Sequence, residues 1–153
     1  MIPVTGRTGD ILTEFIKTTD EEALGSGAFP RLRYCLIVAR HSGKALMVYN
    51  RRRGVWEVPG GGIEKGETAR DCIVRELMEE SGQTAHNLRL SGIIKIRMKS
   101  RDLQEFAGAL YSGELETVVP FVGTDEISRI CLWDERSELK DLCEIDGALV
   151  GLI

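Results

Sequence analysis

The chain has 153 residues, enough for one domain with a sizeable buried core. Hydrophobic residues at 42%, charged residues at 29% and only 4 prolines exclude a disordered, collagen-like or coiled-coil chain. Lys plus Arg at 20 against Asp plus Glu at 24 leaves a net charge of -4, the wrong sign for a protein that coats nucleic acid, so long nucleic acid is not an expected partner. The longest apolar run, Tyr34 to Ala39, falls far short of the roughly 18 residues of a membrane span, and residues 1–30 hold no uninterrupted signal-peptide core. The expectation is a soluble, cytoplasmic protein with no membrane partner. Cys35, Cys72, Cys131 and Cys143 form no CxxC pair and lie in apolar surroundings, which suits reduced core residues better than zinc ligands or disulfides.

In chain order, Ile11 to Ile16 fits either a strand or the start of a helix. Leu32 to Ala39 reads as a buried strand, His41 to Lys44 as its turn and Ala45 to Tyr49 as the returning strand. Arg51, Arg52, Arg53 and Gly54 turn the chain again before a short strand at Val55 to Val58, which runs through Pro59 into a glycine loop. A helix is expected from about Thr68 to Ser81, with Thr68 and Asp71 as a variant capping box and Gly82 as the stop. Leu88 to Met98, Phe106 to Tyr111 and Ile127 to Trp133 read as strands, and Glu135 to Leu142 and Asp146 to Ile153 as further helical pieces, the last weakened by Gly147 and Gly151. This order predicts an α+β sandwich, a mixed sheet with helices on its faces.

The helix is the informative segment. With Ala69 at zero on a helical wheel, Ile73, Leu77, Val74 and Met78 fall at roughly 40°, 80°, 140° and 180°, the expected buried arc. Glu79, Glu76 and Glu80 fall at roughly 280°, 340° and 20°, a stripe that overlaps the edge of that arc and so faces a cleft. A solvated charged face is the ordinary reading of such acids. Here Glu76 and Glu80 repel at i,i+4, and Glu79 and Glu80 sit in the last turn against the helix dipole, each effect costing a few tenths to about 1 kcal/mol. Arg75 is the nearby cation, spaced to pair with Asp71 and Glu79. A divalent cation would supply the missing positive charge, and an all-oxygen donor set without histidine suits Mg²⁺ or Mn²⁺.

Gly60, Gly61, Gly62 and Gly66 lead into the N-terminal end of this helix, where bare backbone can approach a metal or phosphate. The loop is not a Walker loop, because Glu67 and Thr68 stand where Lys and Ser/Thr are required, and Lys65 breaks a GxGxxG pattern. Arg51, Arg52 and Arg53 form either a solvated turn or a contact to substrate phosphates, and Trp56 is either a half-buried strand residue or a base-stacking surface.

Gly61, five residues to Glu67, then seven to the run Arg75-Glu76-Leu77-Met78-Glu79-Glu80-Ser81-Gly82, resembles the Nudix box Gx5Ex7REUxEExGU, here at 61–83. Gln83 departs from it, standing where the closing aliphatic residue is expected. Trp56 to Gly62 also resembles the usual approach to that box. The resemblance implies an α/β/α sandwich with a mixed β-sheet over the single domain 1–153, and hydrolysis of a nucleoside diphosphate linked to another moiety. It implies that Glu76, Glu79 and Glu80 bind Mg²⁺, with Glu76 also a general base, and that the carbonyl of Gly60 is a further ligand. Glu67 and Arg75 match the positions that brace the loop and orient the acids, and a late acid, Glu126 with Asp125 and Glu105 as rivals, is the expected additional ligand.

The expected function is Mg²⁺-dependent hydrolysis of a small nucleotide, a (d)NTP cut to the monophosphate and pyrophosphate. The choice of substrate rests on the lack of signatures of other branches. The alternatives are a capped-RNA 5′ end and a non-catalytic nucleotide-sensing or partner-binding domain of the same fold.

Overall fold

The computed structural model describes residues 2–153. Nine strands form one sheet: β1 (Val4–Thr5), β2 (Ile11–Lys17), β3 (Leu32–His41), β4 (Lys44–Asn50), β5 (Val55–Glu57), β6 (Gly60–Gly62), β7 (His86–Met98), β8 (Gln104–Glu114) and β9 (Ile127–Trp133). Two α-helices accompany it, α1 (Ala69–Ser81) and α2 (Glu144–Leu152). The strand path is β1-β2-β7-β8-β3-β4-β5, with β6 paired to β3 and β9 paired to β4. β3 and β8 run parallel and the other pairs antiparallel, so the sheet is mixed.

Alternation along the central strands builds two cores. In β3, Tyr34 and Val38 join one cluster while Cys35, Ile37 and Ala39 join the other. β4 divides Ala45 and Met47 from Leu46 in the same way, and β8 divides Leu110 from Ala109 and Tyr111. α2 covers the first cluster with Ile145, Leu149 and Val150, and α1 covers the second with Cys72, Ile73 and Leu77. Strands buried on both faces read as continuous apolar runs, which is why Tyr34 to Ala39 shows no polar alternation. The result is the expected α/β/α sandwich. No helix is long and apolar enough to cross a membrane among the described residues.

The helix α1 forms where the sequence predicts. The Thr68 hydroxyl accepts the Asp71 N–H at 3.0 Å, the Asp71 carboxylate accepts the Thr68 N–H at 3.2 Å, and Gly82 ends the helix at φ 72°. The buried face is turned by roughly 90° from the apolar arc of the wheel. Val74 and Met78 stand 53% and 48% exposed, while Glu80 is only 7% exposed. Burial follows the acids as well as the aliphatics because Glu76 and Glu80 point into the cleft beside the sheet.

One open reading is settled and three other expectations change. Ile11–Lys17 is a strand, held by β7 on one side and β1 on the other. The glycines 60–62 are a short strand against β3, Leu36 to Gly60 and Tyr34 to Gly62, and not an open loop. Residues 135–142 are not helical: Asp134 captures the N–H groups of Arg136 and Ser137 at 2.9 Å, and Glu135 and Asp141 adopt left-handed φ of 64° and 65°. Cys35 and Cys72 lie in the core as expected but are joined as a disulfide between β3 and α1, whereas Cys131 and Cys143 are free.

Removing the caps should loosen α1 without touching its packing. Thr68→Ala and Gly82→Ala are each expected to cost about 1 kcal/mol or more, because one strips the Asp71 N–H of its hydroxyl acceptor and the other forces an L residue into left-handed φ. Chemical denaturation of the two variants checks this, and midpoints equal to that of the parent chain would refute it.

Candidate functional site

A cleft of about 730 Å³ opens beside β3, β5 and β6. One wall carries Glu76, Glu79 and Glu80 of α1 together with Glu126, and the opposite side carries Arg33, Phe106 and Met98. The floor between them includes the glycine strand β6. At Gly60 and Gly61, though not at Gly62, glycine is needed for space rather than for φ. A β-carbon at Gly61 would enter the Glu76 carboxylate, and one at Gly60 would meet the Cys35 carbonyl and Leu36.

Arg75 organises the acids. Its Nε and Nη2 grip Glu67 at 2.7 and 2.9 Å, Nη1 donates to Glu76 at 2.8 Å and to Glu79 at 3.2 Å, and Nη2 donates to the Gly62 carbonyl at 3.1 Å. The expected pair with Asp71 is not formed, because Asp71 is committed to the Thr68 cap. Glu67 also accepts the Glu64 N–H at 2.9 Å, so it closes the loop before α1 while it holds Arg75. The guanidinium hydrogen bonds, then the Glu64 N–H, pull the Glu67 carboxyl down to about 2.

Glu80 accepts the Gly60 N–H at 2.8 Å. Burial, with smaller contributions from Glu76, Glu126 and Glu57, pushes it up to about 8. Burial also raises Glu76, against the pull of Arg75. Glu79 is the open member, its side chain 57% exposed. Among the described residues no three acids, histidines or cysteines stand as a finished coordination shell, and Glu76 and Glu79 share the Arg75 guanidinium. The donor set nevertheless fits a hard divalent cation: every side-chain donor is a carboxylate oxygen, and the charges crowded on α1 exceed what Arg75 can neutralise.

Glu126 is the late acid at this cleft. Its carbonyl accepts the Arg51 N–H at 2.8 Å, and its charge bears on Glu76 and Glu80. Asp125 does not line this cleft but an adjoining groove that shares Glu79, Glu80 and Glu126 with it, while Glu105 lies on β8 and accepts the Thr13 hydroxyl at 2.9 Å. Arg53 lines the cleft but is paired with Glu57 at 3.1 Å. Arg51 and Trp56 do not reach it. Arg51 is exposed on its turn, and Trp56 is buried against Tyr49 and Arg129, with ring centroids 5.2 Å apart in the aromatic pair, so it cannot offer a face to a base.

Sequence reasoning missed the half-buried Glu57 and the buried Asp146, two acids lining the same cleft. Asp146 accepts the Val58 N–H at 2.8 Å, and both carboxyls are raised, first by burial. Glu57 stands in the run before the glycines, but nothing local marks Asp146, whose place depends on α2 docking beneath β5.

The model of the NUDIX domain matches residues 29–149. The chain belongs to the Nudix family. It is 41% identical over 59 residues to the Nudix hydrolase YvcI of Bacillus subtilis, covering 39% of this chain and 37% of that relative. It is 36% identical over 90 residues to the NAD-capped RNA hydrolase NudC of Vibrio parahaemolyticus, covering 57% and 35%. The chain thus spans only about a third of the length of these curated relatives. Among solved structures, the pyrophosphohydrolase BsRppH of Bacillus subtilis superposes with a TM-score of 0.70 at 19% identity, covering 96% of this chain and 89% of that one. This last likeness is one of fold.

The departure from the Nudix box has a structural explanation. Gln83 is buried, donates to the carbonyls of Ser81 and Val119 at 2.9 and 2.8 Å, and accepts the Val119 N–H at 2.9 Å. Where an aliphatic residue would only pack, this amide ties the end of the Nudix helix to the segment between β8 and β9.

Two measurements follow. Gln83→Leu should speed amide hydrogen exchange at Val119 while the exchange of β3 stays unchanged; unchanged protection at Val119 would contradict the tether. Glu80 keeps a proton in the folded chain that the unfolded chain, with an ordinary carboxyl near about 4.3, releases, so stability falls as pH rises from about 4 to about 8. Glu80→Gln should therefore melt above the parent chain at pH 8 in chelator-containing buffer, with the gap closing toward pH 4. A variant melting at or below the parent at pH 8 would refute this.

Proposed function

We propose that this Nudix protein is a Mg²⁺-dependent pyrophosphohydrolase that cuts a (d)NTP to the monophosphate and pyrophosphate, working in the cytoplasm. The observation that carries the reading is the assembly of Glu76, Glu79 and Glu80 with Arg75 along one wall of a cleft floored by bare glycine backbone. A pure binding domain gains nothing from crowding three acids along one helix, with Glu76 and Glu80 repelling at i,i+4 and Glu79 and Glu80 set against the dipole in its last turn.

Glu76, Glu79, Glu80 and Glu126, with the Gly60 carbonyl, would hold Mg²⁺, which when bound neutralises phosphate oxygens and makes a water acidic enough to attack. Mn²⁺ suits the same oxygen donors. Glu76 is the proposed proton acceptor, since burial raises its pKa toward the working range of a general base. Arg75 orients Glu76 and Glu79, and Glu67 fixes Arg75. The nucleophilic oxygen joins one phosphorus of the anhydride, the bridging oxygen leaves with its electron pair on the other, and the water's proton passes to Glu76. A capped-RNA 5′ end is the second reading, favoured by the relatives named NudC; it breaks the same type of bond.

Phosphate release in the presence of added pyrophosphatase from nucleoside triphosphates, and chromatographic detection of the 5′-monophosphate product from a capped oligonucleotide, each with and without Mg²⁺, test the proposal. Turnover of at least one triphosphate that needs Mg²⁺ and falls by roughly 100-fold or more in Glu79→Gln and Glu80→Gln is expected. Turnover unchanged in both variants, or independent of divalent cations, would overturn it.

A further inference from the structure

The cleft holds four arginines, and two of them are committed. Arg7 is bound to Glu144 at 3.0 Å and to Asp141 at 3.5 Å, and Arg53 to Glu57. Among the described residues no carboxylate pairs with Arg33 or Arg101. Arg33 is unusual in how it gets there. The parallel register of β3 and β8 passes from Leu32 opposite Ala107 to Tyr34 opposite Gly108, so Arg33 is an extra residue in β3, a bulge. Such bulges re-aim a side chain, and this one sends the guanidinium over the Phe106 ring, 5.5 Å from its centre. The platform beneath is fixed in turn: the Tyr34 hydroxyl donates to the Phe106 carbonyl at 3.2 Å, and the Tyr34 ring fills the space that a side chain at Gly108 would need.

The backbone places this cation beside the glycine strand. The Arg33 carbonyl accepts the Ile63 N–H at 3.0 Å, and Tyr34 pairs with Gly62. Thus β6, which pairs with β3, lies between the Arg33 segment and the acids of α1. A polyanion that met only the carboxylate wall would be repelled. One laid across β6 meets a planar fork of unpaired N–H donors on the far side, which matches phosphate oxygens two at a time.

We propose that Arg33, steadied on Phe106, binds the phosphate chain of the substrate on the side of β6 opposite the carboxylates, and so selects ligands with linked phosphates. This rests on the pyrophosphohydrolase reading and adds a residue that lies outside the Nudix box. Arg33 is a binding residue for the part of the anhydride that the acids do not hold.

The test is calorimetric binding of the α,β-methylene analogues of the four common nucleoside triphosphates, which cannot be cut, alongside the corresponding nucleosides. Arg33→Ala should weaken the tightest analogue by about 10- to 100-fold and leave nucleoside binding unchanged, with Arg33→Lys recovering part of the loss because it keeps charge without the fork. Arg33 is exposed, so both variants are expected to melt like the parent chain. Equal analogue binding by parent and Arg33→Ala, equal losses for nucleoside and analogue, or no analogue binding by the parent would each overturn the inference. A parent chain that turns over triphosphates as well as Arg33→Ala does sinks this inference alone. One that binds analogues through Arg33 but never turns over a triphosphate sinks the triphosphate-hydrolase reading and leaves only the phosphate contact of Arg33 standing.

Discussion

One guanidinium holds the acidic wall together. Arg75 reaches Glu67, Glu76, Glu79 and the Gly62 carbonyl at once, joining the loop before α1, the helix itself and the glycine strand. A lysine could not replace it, because the two-point grip on Glu67 and the branch to Glu76 use different edges of one planar group. The burial of Glu76 depends on this contact, and so does the demand that residue 61 be glycine. Much of the local sequence is thus constrained by a single charge.

That charge is not enough for all the acids around it. Glu80 is buried with only a backbone N–H for company, and its raised pKa records the cost of leaving water beside Glu76, Glu126 and Glu57. Structures accept such cost where function requires it, and a wall of oxygen donors facing a polar cleft is the arrangement a hard cation stabilises. The same logic explains why the inward face of α1 is not its most apolar face: Val74 and Met78 stay outside so that Glu76 and Glu80 can look in.

The parts legible in the sequence were those with local causes. The capping box and Gly82 set the ends of α1, and unbroken apolar runs marked strands covered on both faces. The acid spacing marked the candidate site because three residues on one helix keep their geometry wherever that helix docks. What escaped depends on remote partners. The glycines form a strand only because β3 leaves an edge free beyond its hairpin with β4. The 135–142 segment has helical composition but is captured by Asp134. Cys35 and Cys72 are 37 residues apart and meet only through the packing of α1 on β3. Arg33 looks like any charged residue at a strand start until the register with β8 shows the bulge.

The anions of α1 are, on the function proposed, gathered for a divalent cation. Calorimetric titration of the purified chain with MgCl₂ at pH 7, in two buffers of different ionisation enthalpy, tests it directly. Because Glu80 sits at about 8, uptake of Mg²⁺ should be accompanied by release of about one proton, and Glu80→Gln should abolish that release. Heats indistinguishable from dilution, with and without a bound non-hydrolysable nucleotide, would contradict it.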